Sequence, residues 1–225
     1  MNLENTGRSR TAVLAFGLLL VGASVSVAQE EERVPTIPNG VPAVLFPVQS
    51  TSPTAGGAWV GGATTDRETI ALFNAELEFA FGEQEGAASW AVGDAVAYRI
   101  ERNPMIKVNP SRLSYHGLLR KPEPRSQIYE PLHTQLRQSA ALFDARIVVL
   151  PLTVWYRPPT EEERLAAVAS DTEPLGRAVL LAAIIDVRRS AVMWHGTIEG
   201  EPGEATSRAL LTTLAQRVAR QLAPS

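Results

Sequence analysis

Apolar and polar positions alternate along this chain with the periods of helices and strands, and the clearest helical segment lies at 65–82. Its buried face is predicted from four apolar residues, Ile70, Phe73, Leu77 and Phe81. Thr65 followed by Glu68 three residues later predicts a capping box at the amino end. Gly82 predicts the carboxyl end of the helix.

Three apolar segments predict strands, at 43–48, 146–156 and 178–185, and Ser89 to Val92 predicts a brief one. The segment 178–185 is continuously apolar, which is typical of a strand covered on both faces. Pro151 cannot donate to a ladder, so it predicts either a bulge or an edge position.

The segment after 190 alternates between apolar and polar residues, which predicts a strand with one wetter face. The apolar face is predicted to hold Val192, Trp194 and Ile198, and the wetter face to hold Met193, His195, Thr197 and Glu199. Together with 178–185 this strand is predicted to form a hairpin.

Other helices are predicted from similar spacing. One covers 128–142, and a short one is capped by Asp94 and ends before Pro104. A final helix buries four apolar residues, Leu211, Leu214, Val218 and Leu222. Residues 157–177 form a charged insert in which Thr160 and Glu163 are spaced as a capping box.

The resulting order of elements, β-α-(β)-α-α-β-β-β-α, predicts the α/β (α+β) class. The sheet is predicted to be mixed, with helices packed against it and a carboxy-terminal β-hairpin followed by a helix. We expect one domain at 42–225, since its length suits a single core.

The first 28 residues predict export. Arg8 and Arg10 precede the apolar run 12–23, and Ala28 and Gln29 flank the predicted cleavage site. Residues 29–41 are mostly polar and predict a flexible leader. The mature protein is expected in the periplasm or secreted, with a retained amino-terminal membrane anchor as the alternative.

The composition excludes several kinds of partner and site. The chain has 21 basic and 24 acidic residues, a net charge of −3 and no concentrated basic patch, which argues against nucleic acid as a partner. It has no cysteine, so disulfides, zinc–thiolate sites and a lipidated amino terminus are excluded. No stable membrane insertion is expected after signal cleavage.

No catalytic, cofactor or metal site is predicted. The three histidines, His116, His133 and His195, form no metal-binding motif. His195 is interpreted as lying on the solvent side of the hairpin, and Asp186 as a turn residue that bonds nearby backbone. His133 and Asp144 are separated by about 16 Å along a helix. The chain contains no GxSxG or SxxK motif.

Possible protein-contact residues lie in two segments. Trp59 stands in a glycine-rich loop at 50–64, where an exposed aromatic side chain would anchor a partner. Glu161, Glu162 and Arg164 stand in the charged insert.

Two parts of the chain resemble a class of bacterial envelope domains that includes the amino-terminal domain of TolB, CsgG and LpoB. The first is the strand that ends in Pro47, and the second is the stretch 136–222. The shared features of that stretch are a strand ending in Asp186, a turn, and a strand carrying Trp194. Phe143-Asp144 and Ser190 stand where the class has glycine.

The resemblance implies a non-enzymatic binding or adaptor protein of the bacterial cell envelope that acts through protein contacts. Two alternatives remain open from the residues. The first is an exported hydrolase whose site is assembled from distant residues, with His133 or His195 beside a carboxylate. The second is a self-assembling envelope or secretion component that pairs through the edge of 190–200. The partner and the oligomeric state are not predicted.

Overall fold

The computed structural model describes residues 34–54, 59–120 and 127–223. The predicted signal peptide at 1–28, with its cleavage site between Ala28 and Gln29, therefore lies outside the described residues. So does the first part of the expected leader.

The described chain folds as a mixed sheet with helices on both faces, as the sequence predicted. Its strands are β1 (Ala43–Leu45), β2 (Ser50–Thr51), β3 (Trp90–Val92), β4 (Ile147–Arg157), β5 (Gly176–Asp186) and β6 (Ala191–Gly203). Its helices are α1 (Asp66–Gly82), α2 (Gly93–Glu101), α3 (Leu132–Ala141), α4 (Glu161–Ala169) and α5 (Ala209–Leu222).

The six strands are ordered β3-β1-β4-β5-β6, with β2 paired to β4. β1 lies parallel to both β3 and β4, whereas β4, β5 and β6 form an antiparallel meander. The β4–β5 and β5–β6 pairs supply most of the paired residues in the sheet. β3 and β6 lie at the two ends of this order, and β2 pairs with β4 alone.

Each face of the sheet has its own apolar cluster. On one face, α1 and α5 pack against Leu180 and Ile184 of β5. On the other, α2, α3 and the irregular segment 103–120 cover Ala183 and Ile185. The alternation along β5 thus feeds both clusters, and this confirms the prediction of a strand buried on both sides.

Pro151 lies in the middle of the sheet and not at its edge. The ladder between β4 and β5 shifts register between Pro151 and Thr153, so the predicted bulge is confirmed and the alternative of an edge position is wrong. On the other side of β4, β1 ends at Leu45 and β2 begins at Ser50. A residue without an N–H is tolerated at this interruption.

The predicted face assignment along β6 is wrong for Val192, because the strand contains a bulge at Met193, whereas Trp194 and Ile198 share one face as predicted. Ile184 pairs with Trp194 while Ile185 pairs with Val192, which leaves Met193 as an extra residue. Val192 therefore packs in the cluster beneath α3, and Trp194 packs beneath α5. One extra residue reverses the side to which each later residue points.

Two helix starts differ from their predictions. α2 begins at Gly93, and Asp94 is not its cap; instead the backbone N–H of Asp94 donates to the carboxylate of Glu78 on α1. α3 begins at Leu132, four residues later than predicted. At α2 the contact from α1 sets the first turn.

The expected leader is anchored at its end. Ile37 is buried, and its backbone N–H donates to the Leu222 carbonyl oxygen at 3.0 Å. The flexible leader predicted at 29–41 therefore does not extend through Ile37, because that side chain packs with the cluster beneath α5.

Asp186 closes the turn between β5 and β6, as interpreted from the sequence. Its Oδ1 accepts the backbone N–H groups of Arg188 at 3.0 Å and Arg189 at 3.1 Å, and its Oδ2 accepts from Arg146 Nε at 2.9 Å. Burial favours a higher pKa for Asp186, but the hydrogen bonds from Arg146 and the turn outweigh it and hold the pKa below its ordinary value.

We expect Asp186→Ala to lower the free energy of unfolding at pH 7 by about 2–4 kcal/mol, because it removes a buried carboxylate that accepts two hydrogen bonds from Arg146 and one each from the backbone of Arg188 and Arg189. Asp186→Asn should cost less, about 1–2 kcal/mol, because its amide oxygen still accepts from the turn. Urea unfolding of the variants measures both losses.

The stability that Asp186 contributes falls as the pH is lowered. A lowered folded-state pKa gives stability that is complete above the ordinary aspartate value and is lost as the pH falls through the folded value. The difference between wild type and Asp186→Asn should therefore shrink below about pH 4. A difference that stays constant down to pH 2 would contradict this assignment.

Candidate functional site on helix α4

Helix α4 stands in the connection between β4 and β5, and it is fixed at its first turn. Thr160 Oγ1 accepts the Glu163 backbone N–H at 3.2 Å, and Glu163 Oε2 accepts the Thr160 backbone N–H at 2.7 Å. This reciprocal pair is the capping box that the sequence predicted. The helix buries none of its side chains completely.

A cluster of four charged residues joins α4 to the sheet. Arg157 on β4 binds Glu163 through two hydrogen bonds of 2.9 and 3.0 Å, and it binds Glu199 on β6 through two of 3.0 Å. Arg177 on β5 lies 3.5 Å from Glu163 and 3.8 Å from Glu199. We call Arg157, Glu163, Arg177 and Glu199 the charge cluster.

The cluster is electrostatically satisfied. The hydrogen bonds from Arg157 and from the Thr160 backbone hold the pKa of Glu163 far below its usual range. The two carboxylates in turn raise the pKa of Arg157, first through the hydrogen bonds that Arg157 donates to Glu163 and then through those it donates to Glu199. Glu163 and Arg157 therefore stay charged across the physiological range, and their ion pair fixes α4 to the sheet.

The outward side of α4 is apolar at its centre. Leu165 and Val168 are 63% and 76% exposed, while Glu163 and Ala167 on the opposite side are half-buried. The spacing of three residues places the two aliphatic side chains on one face. We call Leu165 and Val168, together with Glu161 and Glu162 at the start of the helix, the α4 surface.

The structure brings three of the four predicted contact residues together and leaves the fourth elsewhere. Glu161, Glu162 and Arg164 lie exposed on α4, with Arg164 Nη1 3.4 Å from Glu161 Oε2. Trp59 is half-buried and precedes the short turn Val60–Gly62 near the start of α5. The N–H of Gly61 in that turn donates to Ala205 at 2.9 Å.

Sequence reasoning missed the aliphatic pair on α4, although its signal was present. Leu165 and Val168 are apolar residues in a charged insert, and their spacing is that of one helical face. The predicted insert at 157–177 is also too long at both ends. Arg157 belongs to β4, and Gly176 and Arg177 belong to β5.

His195 is not on a solvent face. It is buried, and its Nε2–H donates to the Leu118 carbonyl oxygen at 2.6 Å. His195 lies on the face opposite Trp194, as predicted, but the segment 103–120, which contains Leu118, covers that face. The wetter-face interpretation is therefore wrong for this residue, and its place beneath that segment is structural.

His133 has partners that the sequence did not reveal. Its Nε2 lies 2.7 Å from the hydroxyl of Ser190, and its Nδ1 lies 3.3 Å from a carboxylate oxygen of Glu130. Ser190 is 57 residues away along the chain, so no local spacing signals the contact. This group lies at the opposite end of β5 from α4, about 33 Å away at 3.3 Å per residue.

A shallow groove of about 620 Å³ lies beside the edge strand β3. Arg99 stacks on Phe143 there, 5.0 Å from the ring centroid, and Tyr98 lines the groove. Trp90 also borders the groove and packs against Phe81 with ring centroids 5.2 Å apart. This ring contact holds Trp90 against the core cluster that contains Phe81.

Two features are absent from residues 34–54, 59–120 and 127–223. No group of three histidine or carboxylate side chains is arranged to hold a metal ion in that part of the chain. Among the helices described there, none is long and apolar enough to cross a membrane.

We expect Glu163→Ala to release α4 from the sheet while the rest of the domain stays folded. Amide exchange in 161–169 should accelerate about tenfold or more, because the capping box and both arginine contacts are lost together. Global stability should fall by only about 1 kcal/mol, since the cluster is partly exposed to water.

The matched control is Glu162→Ala, which changes an exposed carboxylate on the same turn and leaves the capping box in place. In the wild type, protection of α4 should persist through pH 4.5. It should be lost only in stronger acid, as the pH falls through the lowered pKa of Glu163. Equal exchange in the two variants would contradict the role of the cluster.

Comparison with known proteins does not place the chain in a family. No protein-family model matches it, and no curated protein does. Two solved structures of PelC from Paraburkholderia phytofirmans, both dodecamers, show a weak likeness. One, a single-residue variant, is 12% identical, with 84% of this chain and 93% of that chain covered and a TM-score of 0.36. The other is 14% identical, with 85% and 94% covered and the same TM-score of 0.36.

Proposed function

We propose that this protein is an exported binding or adaptor protein of the bacterial cell envelope that captures a protein partner on the α4 surface. The carrying observation is the exposed pair Leu165 and Val168 on a helix that the charge cluster holds in place. Binding at this surface involves no chemical step, in keeping with the non-enzymatic role expected from the sequence.

Exposure of the aliphatic pair supports a contact role. Burying a leucine or valine side chain contributes about 1.5–3 kcal/mol, and Leu165 and Val168 leave most of this unrealised within their own domain. Single exposed apolar residues are ordinary on protein surfaces. Two aliphatic side chains three residues apart on an exposed helix, however, form a continuous apolar ridge. An amphipathic ridge of this kind fits an apolar groove on a partner.

The charges of α4 specify the partner further. The first turn carries Glu161 and Glu162, both exposed, so the amino end of the ridge is acidic. A complementary partner has an apolar groove with basic side chains at one end. Charge complementarity of this type sets orientation and association rate more than it sets affinity.

The fixed position of α4 also favours binding of a partner. A helix of nine residues is only marginally stable alone in water. The capping box and the charge cluster order α4 before any partner arrives, which lowers the entropy lost on binding. The sequence thus maintains an exposed helix at a fixed position on the sheet.

We expect a photo-crosslinking residue at position 165 to capture one envelope protein in living cells, and the same residue at position 105 to capture none. Met105 is the matched control because it is 85% exposed and lies outside α4. Mass spectrometry identifies the captured protein. Crosslinks that are equally abundant from both positions would contradict the α4 surface.

With the purified partner, Leu165→Ser and Val168→Ser should each weaken binding about tenfold or more by calorimetry, because each removes a buried aliphatic side chain. Met105→Ser should leave the affinity unchanged. Reversing the charge of Glu161 and Glu162 should slow association most at low salt. Wild-type affinity in the double variant of Leu165 and Val168 would overturn the proposal.

Export is tested separately. We expect the native protein in the periplasmic fraction with Gln29 as its first residue, as determined by amino-terminal sequencing. A protein that retains residues 1–28 and sediments with the membrane would instead support the alternative of an amino-terminal anchor.

A further inference from the structure

The turn between β5 and β6 and the start of α3 bring together a serine, a histidine and a glutamate. The segment before α3 is fixed to this turn through its backbone, because the Ile128 N–H donates to the Ser190 carbonyl oxygen at 2.9 Å. Gln127 also forms an isolated antiparallel bridge with Ala191. The contact between the two segments therefore does not depend on side chains alone.

The three side chains form a continuous hydrogen-bond chain. Ser190 Oγ lies 2.7 Å from His133 Nε2, and His133 Nδ1 lies 3.3 Å from Glu130 Oε1. A carboxylate only accepts hydrogen bonds, so Nδ1 carries the proton and Nε2 is left as the acceptor for the serine hydroxyl. This is the tautomer that a histidine needs to take a proton from serine.

The glutamate is held in place by a second contact. Glu130 Oε1 accepts from the Thr134 hydroxyl at 2.8 Å, and its Oε2 accepts from the Thr134 backbone N–H at 3.3 Å. These contacts, with the Thr134 hydroxyl first, lower the pKa of Glu130, so it is ionised in neutral solution. An oriented carboxylate thus fixes the imidazole of His133.

Ser190 has an unusual backbone conformation for its residue type. Its φ is 54°, in the left-handed region that glycine adopts without strain. Residues held in such conformations cluster at sites where the strain serves a function. The turn places the serine hydroxyl beside the imidazole, and both residues are only partly buried, which leaves them accessible to a small molecule.

We propose that Ser190, His133 and Glu130 form a hydrolytic triad that cleaves small carboxylic esters. Ser190 is the nucleophile, His133 is the general base and acid, and Glu130 is the positioning residue. Two cationic side chains precede the nucleophile, Arg188 and Arg189, and both are exposed. Their charge favours the oxyanion that develops on the ester carbonyl.

The reaction balances with water as the only co-reactant. The Ser190 oxygen attacks the carbonyl carbon while its proton passes to His133 Nε2. The bond to the alkoxide then breaks, and the alcohol leaves with that proton. Water attacks the acyl-serine, again giving a proton to His133, and the carboxylic acid leaves as Ser190 regains its proton.

This activity is independent of the α4 surface, which lies at the other end of β5. It develops the hydrolase alternative that the sequence left open, in which no nucleophile was identified. Of the two histidines named in that alternative, the structure places His133 beside a carboxylate and His195 beneath Leu118.

The experiment uses the purified mature protein, p-nitrophenyl acetate as substrate and a fluorophosphonate as a covalent probe. We expect steady turnover above the buffer rate and a single phosphonyl adduct on Ser190, located by mass spectrometry. Ser190→Gly should abolish both signals. Glycine suits the left-handed backbone, so this variant should fold at least as well as the wild type.

Asp144→Gly is the matched control. Asp144 also has a left-handed φ, 49°, and its replacement relieves the same kind of strain without touching the triad. This variant should retain turnover and labelling. His133→Gln, whose amide can still bond Ser190, should lower kcat at least 100-fold.

Glu130→Gln should lower kcat with little change in KM, because the glutamate acts through His133 and not on the substrate. A merely structural role for Glu130 would instead alter stability and leave kcat unchanged. Turnover or labelling that persists in Ser190→Gly, or a wild type that shows neither, would overturn the triad. Neither result bears on partner capture by α4.

Discussion

Burial of β5 on both faces is the constraint on which the rest of this architecture depends. Its central residues alternate between the two apolar clusters, so neither side of the sheet can be left in water. One face of the sheet is covered by α1 and α5, and the other by α2, α3 and the segment 103–120. The elements that complete the sheet, including β1 between β3 and β4, are placed by the same requirement.

The layers could be predicted from sequence because periodicity is a local property, whereas the register of β6 could not. Leu211 and Leu214 fall on the buried side of α5 as their spacing predicted. The extra residue at Met193 is defined only by the pairing of β6 with β5. The alternation of apolar and polar residues within β6 does not predict it. Asp94 failed as a cap for a similar reason, since the acceptor at that helix start comes from α1.

The same distinction separates the two candidate sites. The capping box of α4 lies within four residues, so the sequence predicted an exposed helix there. Its attachment through Arg157 and Glu199 needs two strands that are 42 residues apart, and it became visible only in the fold. The contact of Ser190 with His133 spans an even longer separation. Sequence motifs record such a group only when its members are close along the chain.

The position of β1 has a consequence for how the domain forms. Ala43 pairs with Ile147, so the central parallel ladder joins segments that are about a hundred residues apart. β5 and β6 are joined by the turn 187–190, and β4 and β5 by residues 158–175, which include α4. Both connections are far shorter than the one between β1 and β4, so the contacts of the meander can form first. β1 then pairs with β4 against a larger loop-closure entropy. We therefore expect the pairing of the amino-terminal strand β1 with β4 to be the slow step of folding.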